Sequence, residues 1–276
     1  MRWLRNAAER VERRGGWAVA LGLSLALALR LWGSRFSLPY IYHPDEPVAI
    51  GVAVRMLQAG DFNPHFFHWG TGYFYIVAAV YIFYYSAGVI LSIFHSMADL
   101  ALPQMYALGV GRIAFPAEVW VARLISVALG VGTVWMVYLI GRRHYSHKAG
   151  LLAAALLAAS PVHVTHSQIA RPDVTMTFFL TLSLLYALRA MGRNGRCVWM
   201  WAGFWGGLAA ATKYNATIPV VFIICAAHCL RHRRKAWRET SILWAVGGAV
   251  IGFAPGIPGA IIAPGSPSGT FRKANI

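Results

Sequence analysis

Acidic residues are scarce in this chain: nine Asp and Glu stand against 25 Lys and Arg in 276 residues. Charged residues of both signs make up only 12% of it, about half of the roughly 25% usual in a soluble domain. That shortage excludes a fold whose whole surface faces water. Cysteine is also rare. Cys197, Cys225 and Cys229 are odd in number and form no Cys-x-x-Cys, so neither a disulfide framework nor a thiolate zinc site is expected. Cys225 and Cys229 stand one helical turn apart, a spacing that ordinary packing explains. No internal repeat and no low-complexity linker divides the chain, which reads as one domain.

Long apolar runs are what the chain has instead. It is 58% hydrophobic with a mean hydropathy of +0.54. A helical span needs about 20 apolar residues, and candidate runs fall at 17–33, 119–141, 148–163, 174–190, 197–211, 214–230 and 241–262. The expected fold class is therefore all-α, a polytopic transmembrane helix bundle of about seven spans. A single membrane domain over 1–263 would end in a polar, turn-rich tail at 264–276. The first run follows Arg2, Arg5, Arg10, Arg13 and Arg14, is long for a signal-peptide core and lacks a small-residue cleavage site. It reads as an uncleaved first span.

A net charge of +16 raises nucleic acid as a partner. The cations, however, are scattered through short connectors at span ends, where positive-inside bias puts them. Membrane lipids are expected as partners and nucleic acid is not. The most basic connectors are 142–148, 189–196 and 231–238, which places them and the N-terminus in the cytoplasm. Parity then constrains the first outer loop, about 34–118, to begin and end outside. The aromatic stretch 73–94 is accordingly read as interfacial, re-entrant or packed along the bundle, since a full crossing would break the parity. With this topology Asp45, Glu46, Asp61, Asp99, Glu118 and Asp173 lie outside, and only Glu9, Glu12 and Glu239 lie inside. A carboxylate at the membrane surface is costly unless it is paired or functional.

Three outer elements carry candidate chemistry. In Tyr40-Ile41-Tyr42-His43-Pro44-Asp45-Glu46-Pro47 the prolines disfavour helix, so the two carboxylates are expected on a turn or extended segment, pointing in different directions. One could face a reacting hydroxyl while the other binds a metal or orients its neighbour. The alternative is a helix N-cap for the run Val48 to Gln58. The second element, Gly60 to Trp69, mixes Asp61, Asn63, His65 and His68 with aromatics. Its histidines, with Asp45 or Glu46, could hold a divalent metal; a binding surface for a sugar face or lipid headgroup is the other reading. In the third, Ser160 to Asp173, Arg171 and Asp173 lie at the membrane face. Arg171 there suits either a phosphate or an ion pair closing the bundle. Arg123 and Lys213 add two further cations. Lys213 falls in a break, Thr212-Lys213-Tyr214-Asn215, between two short apolar runs, and is expected to line a cavity rather than face lipid.

These elements, in this order, resemble the GT-C superfamily, and within it the glycosyltransferase family 39 group of protein O-mannosyltransferases and bacterial aminoarabinose transferases. The residues that carry the resemblance are His43-Pro44-Asp45-Glu46, then Met56-Leu57 with Gly60-Asp61, Asn63-Pro64-His65, Ala122-Arg123-Leu124 and Gly141-Arg142-Arg143. Ser160-Pro161 with His163, Arg171-Pro172-Asp173 and Gly207-Leu208-Ala209 with Thr212-Lys213-Tyr214 complete it. It covers about residues 17–230. The chain departs from the group in two respects. It lacks the usual His-Pro-Pro after Pro64, having His68-Trp69-Gly70 there. Members also usually continue for several more spans, so the resemblance reads the present chain as a shortened module.

The resemblance implies an inverting transferase that takes a sugar from a polyprenyl-phosphate donor and passes it to a protein or lipid hydroxyl on the extracytoplasmic side. It implies Asp45 as the carboxylate that activates the acceptor, with Glu46 beside it. Arg123, Arg171, Asp173 and Lys213 would surround the donor phosphate. His43, Asp61, Asn63, His65, His68 and Tyr214 would form the substrate and acceptor region. No cofactor is assigned; a divalent metal on Glu46, His65 and His68 stays open. The competing expectation is a non-catalytic carrier of lipid phosphates, or an inactive module, which would keep the cations but need no acid pair.

Overall fold

The computed structural model describes residues 2–105, 111–114, 116–192, 195–231 and 241–256. The polar tail at 264–276, the end of the run 241–262, and Arg193, Arg233, Arg234, Lys235, Arg238 and Glu239 lie outside the described residues, as do the side chains of Arg2 to Arg14.

Ten helices are described: α1 (Arg2–Gly33), α2 (Asp45–Ala59), α3 (Gly72–Ile90), α4 (Pro116–His144), α5 (His147–Ala159), α6 (Pro161–Ser167), α7 (Pro172–Gly192), α8 (Arg196–Thr212), α9 (Thr217–Arg231) and α10 (Ser241–Phe253). Proline opens α4, α6 and α7, where a missing N–H costs nothing because the first turn has no intrahelical partner for it. Ser146 caps α5 by accepting the Ala149 N–H at 3.1 Å. The all-α membrane bundle expected from the composition is what forms. Among the described residues five helices are long and apolar enough to cross a membrane: Gly16–Gly33 in α1, α3, α4, α7 and Tyr214–Arg231. The run 148–163 is not one straight helix. α5 and α6 meet at Ser160-Pro161 with a 62° bend, and the pair makes a sixth crossing if taken as one span. α8 and α10 are apolar but shorter, with 17 and 13 residues.

α3 passes the same test of length and composition, but its register against α4 is particular. Tyr81 Oη donates to the Glu118 carbonyl at 2.9 Å, and Tyr73 lies beside Ser126, their hydroxyls close but not aligned as a hydrogen bond. The helix therefore runs antiparallel to α4, alongside only its first three turns, and its last turns continue past the start of α4. A three-stranded sheet caps the same region, with β1 (Tyr40–Ile41), β2 (Gln104–Met105) and β3 (Gly111–Arg112) in the order β1-β3-β2; Arg112 pairs with Tyr40 and with Gln104.

The two largest apolar clusters among the described residues hold most of the helices. Ile41, Ile50, Tyr73, Tyr81, Val119 and Ala122 join the first outer loop to α4. Ala187, Trp199, Val220 and Ile224 join α7, α8 and α9. α10 lies against α8 through paired small residues. A methyl group on Gly203 would come within 1.8 Å of the Ala245 carbonyl, and one on Gly248 within 2.0 Å of the Met200 carbonyl. Such backbone contact is the means by which helices associate in lipid, where apolar burial provides little driving force.

Candidate active site

α2 begins at Asp45, so Asp45 and Glu46 occupy its first helical turn. The expectation of a turn or extended segment is corrected here. Pro44 is the cap residue and Pro47 falls in the first turn, where proline removes no helical hydrogen bond. Both acids sit at the positive end of the helix dipole. Successive helical residues point about 100° apart, and the two carboxylates consequently have different surroundings.

Glu46 points inward and is 1% exposed. Arg123 Nε donates to its Oε1 and Arg123 Nη2 to its Oε2, each at 2.8 Å. The Ala170 N–H also donates to Oε1 at 2.8 Å. Arg123 Nη1 donates to the carbonyls of Ser34 at 3.0 Å and Phe36 at 2.8 Å. This buried fork ties α2, α4, the end of α1 and the loop before α7 together. Four of the five N–H donors of Arg123 have protein acceptors and its side chain is 3% exposed, so it presents little to a phosphate. The expected phosphate contact of Arg123 and metal contact of Glu46 are not assembled in this geometry.

Asp45 points the other way, with a third of its side chain exposed, and begins a row of alternating charge. Arg171 Nε lies 3.3 Å from Asp45 Oδ2, and Arg171 Nη2 lies 3.2 Å from Asp173 Oδ2. Lys213 Nζ donates to Asp173 Oδ1 at 2.7 Å. All four side chains are partly open, between 17% and 34% exposed. The ion-pair distances at Arg171 are short, but Arg171 Nε and Asp173 Oδ2 are buried without an aligned hydrogen-bond partner. Arg171 keeps more donor capacity than Arg123. Lys213 is delivered by the break between α8 and α9, where its extended backbone (φ −154°, ψ 121°) turns the chain out of the helix. The first outer loop closes on this break: a methyl on Gly70 would lie 2.0 Å from the Ala211 carbonyl, and Thr71 Oγ1 donates to the Gly256 carbonyl.

His43 stands beside the row. Its Nδ1 accepts the Asp45 N–H at 3.1 Å, so it cannot also donate to the Asp45 carboxylate 3.9 Å away. Burial, then the Arg171 charge, push the imidazole below its usual value against the opposing pull of Asp45 and Glu46. It is a neutral acceptor that fixes the Asp45 backbone.

The second outer element forms its own exposed cluster. Asp61 Oδ1 accepts the Asn63 N–H at 2.9 Å, His65 Nε2 donates to Asp61 Oδ2 at 2.9 Å, and Asn63 Oδ1 accepts the His65 N–H at 3.1 Å. The Asn63 N–H and then His65 hold the Asp61 carboxyl below the usual carboxylate range. His68 packs edge-on against Phe66, and Tyr214 lies tilted against Phe253. Among the described residues no group of three or more His, Cys, Asp or Glu converges as a metal site.

Sequence reasoning passed over Arg30. It is fully buried in α1 and donates to the Ala26 carbonyl at 2.8 Å and to His163 Nδ1 at 2.7 Å. The signal was present, since an arginine inside an apolar run needs a partner.

A family model described as dolichyl-phosphate-mannose-protein mannosyltransferase matches residues 105–259, more than half of the chain and the stretch that holds Arg123, Arg171, Asp173 and Lys213. The undecaprenyl phosphate-alpha-4-amino-4-deoxy-L-arabinose arabinosyl transferase of Pseudomonas aeruginosa (strain UCBPP-PA14) is 27% identical over 238 residues, covering 83% of this chain and 37% of that protein. The protein of the same name from Pseudomonas paraeruginosa (strain DSM 24068 / PA7) is 27% identical over the same extent. The chain thus spans little more than a third of the length of these relatives. Its apolar helices and these likenesses make it a multi-pass membrane protein.

Proposed function

This chain belongs to the dolichyl-phosphate-mannose-protein mannosyltransferase family, and on that basis we propose that it transfers a sugar from a polyprenyl-phosphate donor to a hydroxyl of a protein or lipid, with inversion. The observation that carries the reading is the partly open Asp45 carboxylate 3.3 Å from Arg171, in a row that continues to Asp173 and Lys213.

In the proposed step the acceptor hydroxyl oxygen attacks the anomeric carbon and its proton passes to Asp45. The bond between that carbon and the phosphate oxygen breaks, and the polyprenyl phosphate leaves with the electron pair. Arg171 and Lys213 stabilise the charge that develops on it. A single displacement inverts the anomeric centre. Glu46 and Arg123 hold the frame and touch neither substrate. The acceptor region is the exposed surface of the first outer loop, including His43, Asp61, Asn63, His65, His68 and Tyr214. Short basic connectors put the N-terminus in the cytoplasm and this site on the extracytoplasmic side. The family model is described by mannose and the relatives by aminoarabinose, so the sugar stays unassigned.

The test is release of labelled sugar from polyprenyl-phosphate sugars by membranes containing the chain, beside an Asp45→Asn variant. Loss of transfer in the variant, with the protein still folded, is the expected result. Equal transfer by both proteins overturns the assignment, and a carrier without catalysis would give no transfer from either.

A further inference from the structure

A second feature lies on α4 at the end opposite the candidate active site. α1, α4 and α5 enclose a cavity of about 230 Å³ lined by Ala18, Gly22 and Leu23 of α1, Val134 and Tyr138 of α4, and Ala155 of α5, among others. Its lining residues are apolar apart from Tyr138, whose hydroxyl lies within reach of two basic side chains. His147 Nδ1 lies 3.1 Å from Tyr138 Oη, and Arg142 Nη1 donates to the same oxygen at 3.5 Å. Arg142, Arg143, His144 and Lys148 are exposed around this end, and the segment 142–148 contains no acid. Among the described residues none of these cations has an ion-pair partner, whereas Arg123, Arg171 and Lys213 all do. Fifteen residues of helix separate Arg123 from Tyr138, about 22 Å along the axis, so the two features are separate.

The combination has a chemical meaning. An apolar slot in a membrane helix bundle takes a hydrocarbon chain. Uncompensated cations at its mouth select a negatively charged headgroup, each being worth about 1 kcal/mol of attraction near an anionic surface. We propose that this groove is a binding site for one anionic phospholipid. An acyl chain lies between α1, α4 and α5, and the headgroup phosphate rests on Arg142 and His147, with Lys148 beside them. Gly22 leaves room for the chain: a methyl group built on it meets nothing within 4 Å. The site would tie the basic end of the bundle to the anionic leaflet.

The full chain, purified in detergent and stripped of lipid, is equilibrated with an equimolar mixture of phosphatidylglycerol and phosphatidylcholine. Retained lipids are counted by native mass spectrometry. Phosphatidylglycerol is expected in about fivefold excess for each cation it engages. Arg142→Gln keeps a donor for Tyr138 but should lose most of that excess. Gly22→Leu, whose Cβ meets nothing within 4 Å, should reduce retention of both lipids, and Ala155→Leu from the α5 wall should do the same. Equal retention of the two lipids by the unaltered chain, or undiminished phosphatidylglycerol in both filled variants while their unfolding midpoints match that of the unaltered chain, overturns the proposal.

Discussion

Glu46 and Arg123 meet as a two-point fork with both oxygens engaged at 2.8 Å, across 77 residues of sequence and with almost no solvent access. The neighbouring acid, Asp45, shares neither partner nor environment with Glu46. One turn of helix has divided two adjacent carboxylates into a buried strut and an accessible base candidate.

Glu46→Gln should therefore act on stability. Removing one partner leaves a charged guanidinium buried without compensation, which costs about 3–5 kcal/mol. The expected outcome is a large fall in the unfolding midpoint in detergent, with donor affinity unchanged in the fraction that stays folded. If Arg123 were a phosphate ligand, the same variant would also change donor affinity in the folded fraction.

Asp45→Asn should act on turnover. Loss of a general base lowers the rate by about 10²–10⁴-fold, while the partly exposed side chain keeps its shape and the fold is retained. Arg171→Lys should instead raise the donor KM, because an ammonium cannot present the planar fork that a phosphate accepts. Steady-state kinetics on the two variants, at varied donor concentration, separate these effects.

His43 predicts a pH dependence of stability. Its folded value lies below the ordinary 6.5, chiefly through burial, so between the two values the unfolded chain binds more protons than the folded one. Its stability contribution is complete above pH 6.5 and is lost as the pH falls from there through the folded value. Unfolding midpoints measured from neutral to acid pH should decline in the unaltered chain, and His43→Asn should flatten that decline.

The contact between α8 and α10 predicts a contrast among glycines. Gly203→Ala drives a methyl to 1.8 Å from the Ala245 carbonyl and should destabilise the chain, by about 1–3 kcal/mol if the helices shift to relieve it. Gly247 has open space around it, so Gly247→Ala should be neutral or gain up to about 1 kcal/mol from helix propensity. Thermal unfolding of the two variants side by side measures the difference.

Much of the architecture could be read from the chain. Apolar runs of membrane length, basic connectors and the breaks at Ser160-Pro161 and Thr212-Lys213 are local features, and local features suffice to mark helices and their ends. One reading failed for a local reason, and another was refined. Pro44 and Pro47 suggested an extended segment at Asp45, but proline is harmless in a first helical turn. The run 148–163 reads as one span, and it is divided into two helices with a 62° bend where Pro161 opens the second, the pair together still long enough for a crossing.

The sequence by itself determined the membrane class of the protein, the order of its helices and the outer segments in which its polar residues gather. Hydrophobic run length and proline placement act over neighbouring residues and need no knowledge of the fold. Only the tertiary structure decided which of two adjacent acids is engaged and which of two arginines keeps donors unaligned. Those outcomes depend on which side chains face each other once α2, α4 and the start of α7 are packed. Arg123 finds Glu46 and two carbonyls and is buried with them, whereas Arg171 lies between Asp45 and Asp173 without alignment to either, and no spacing along the chain encodes that difference.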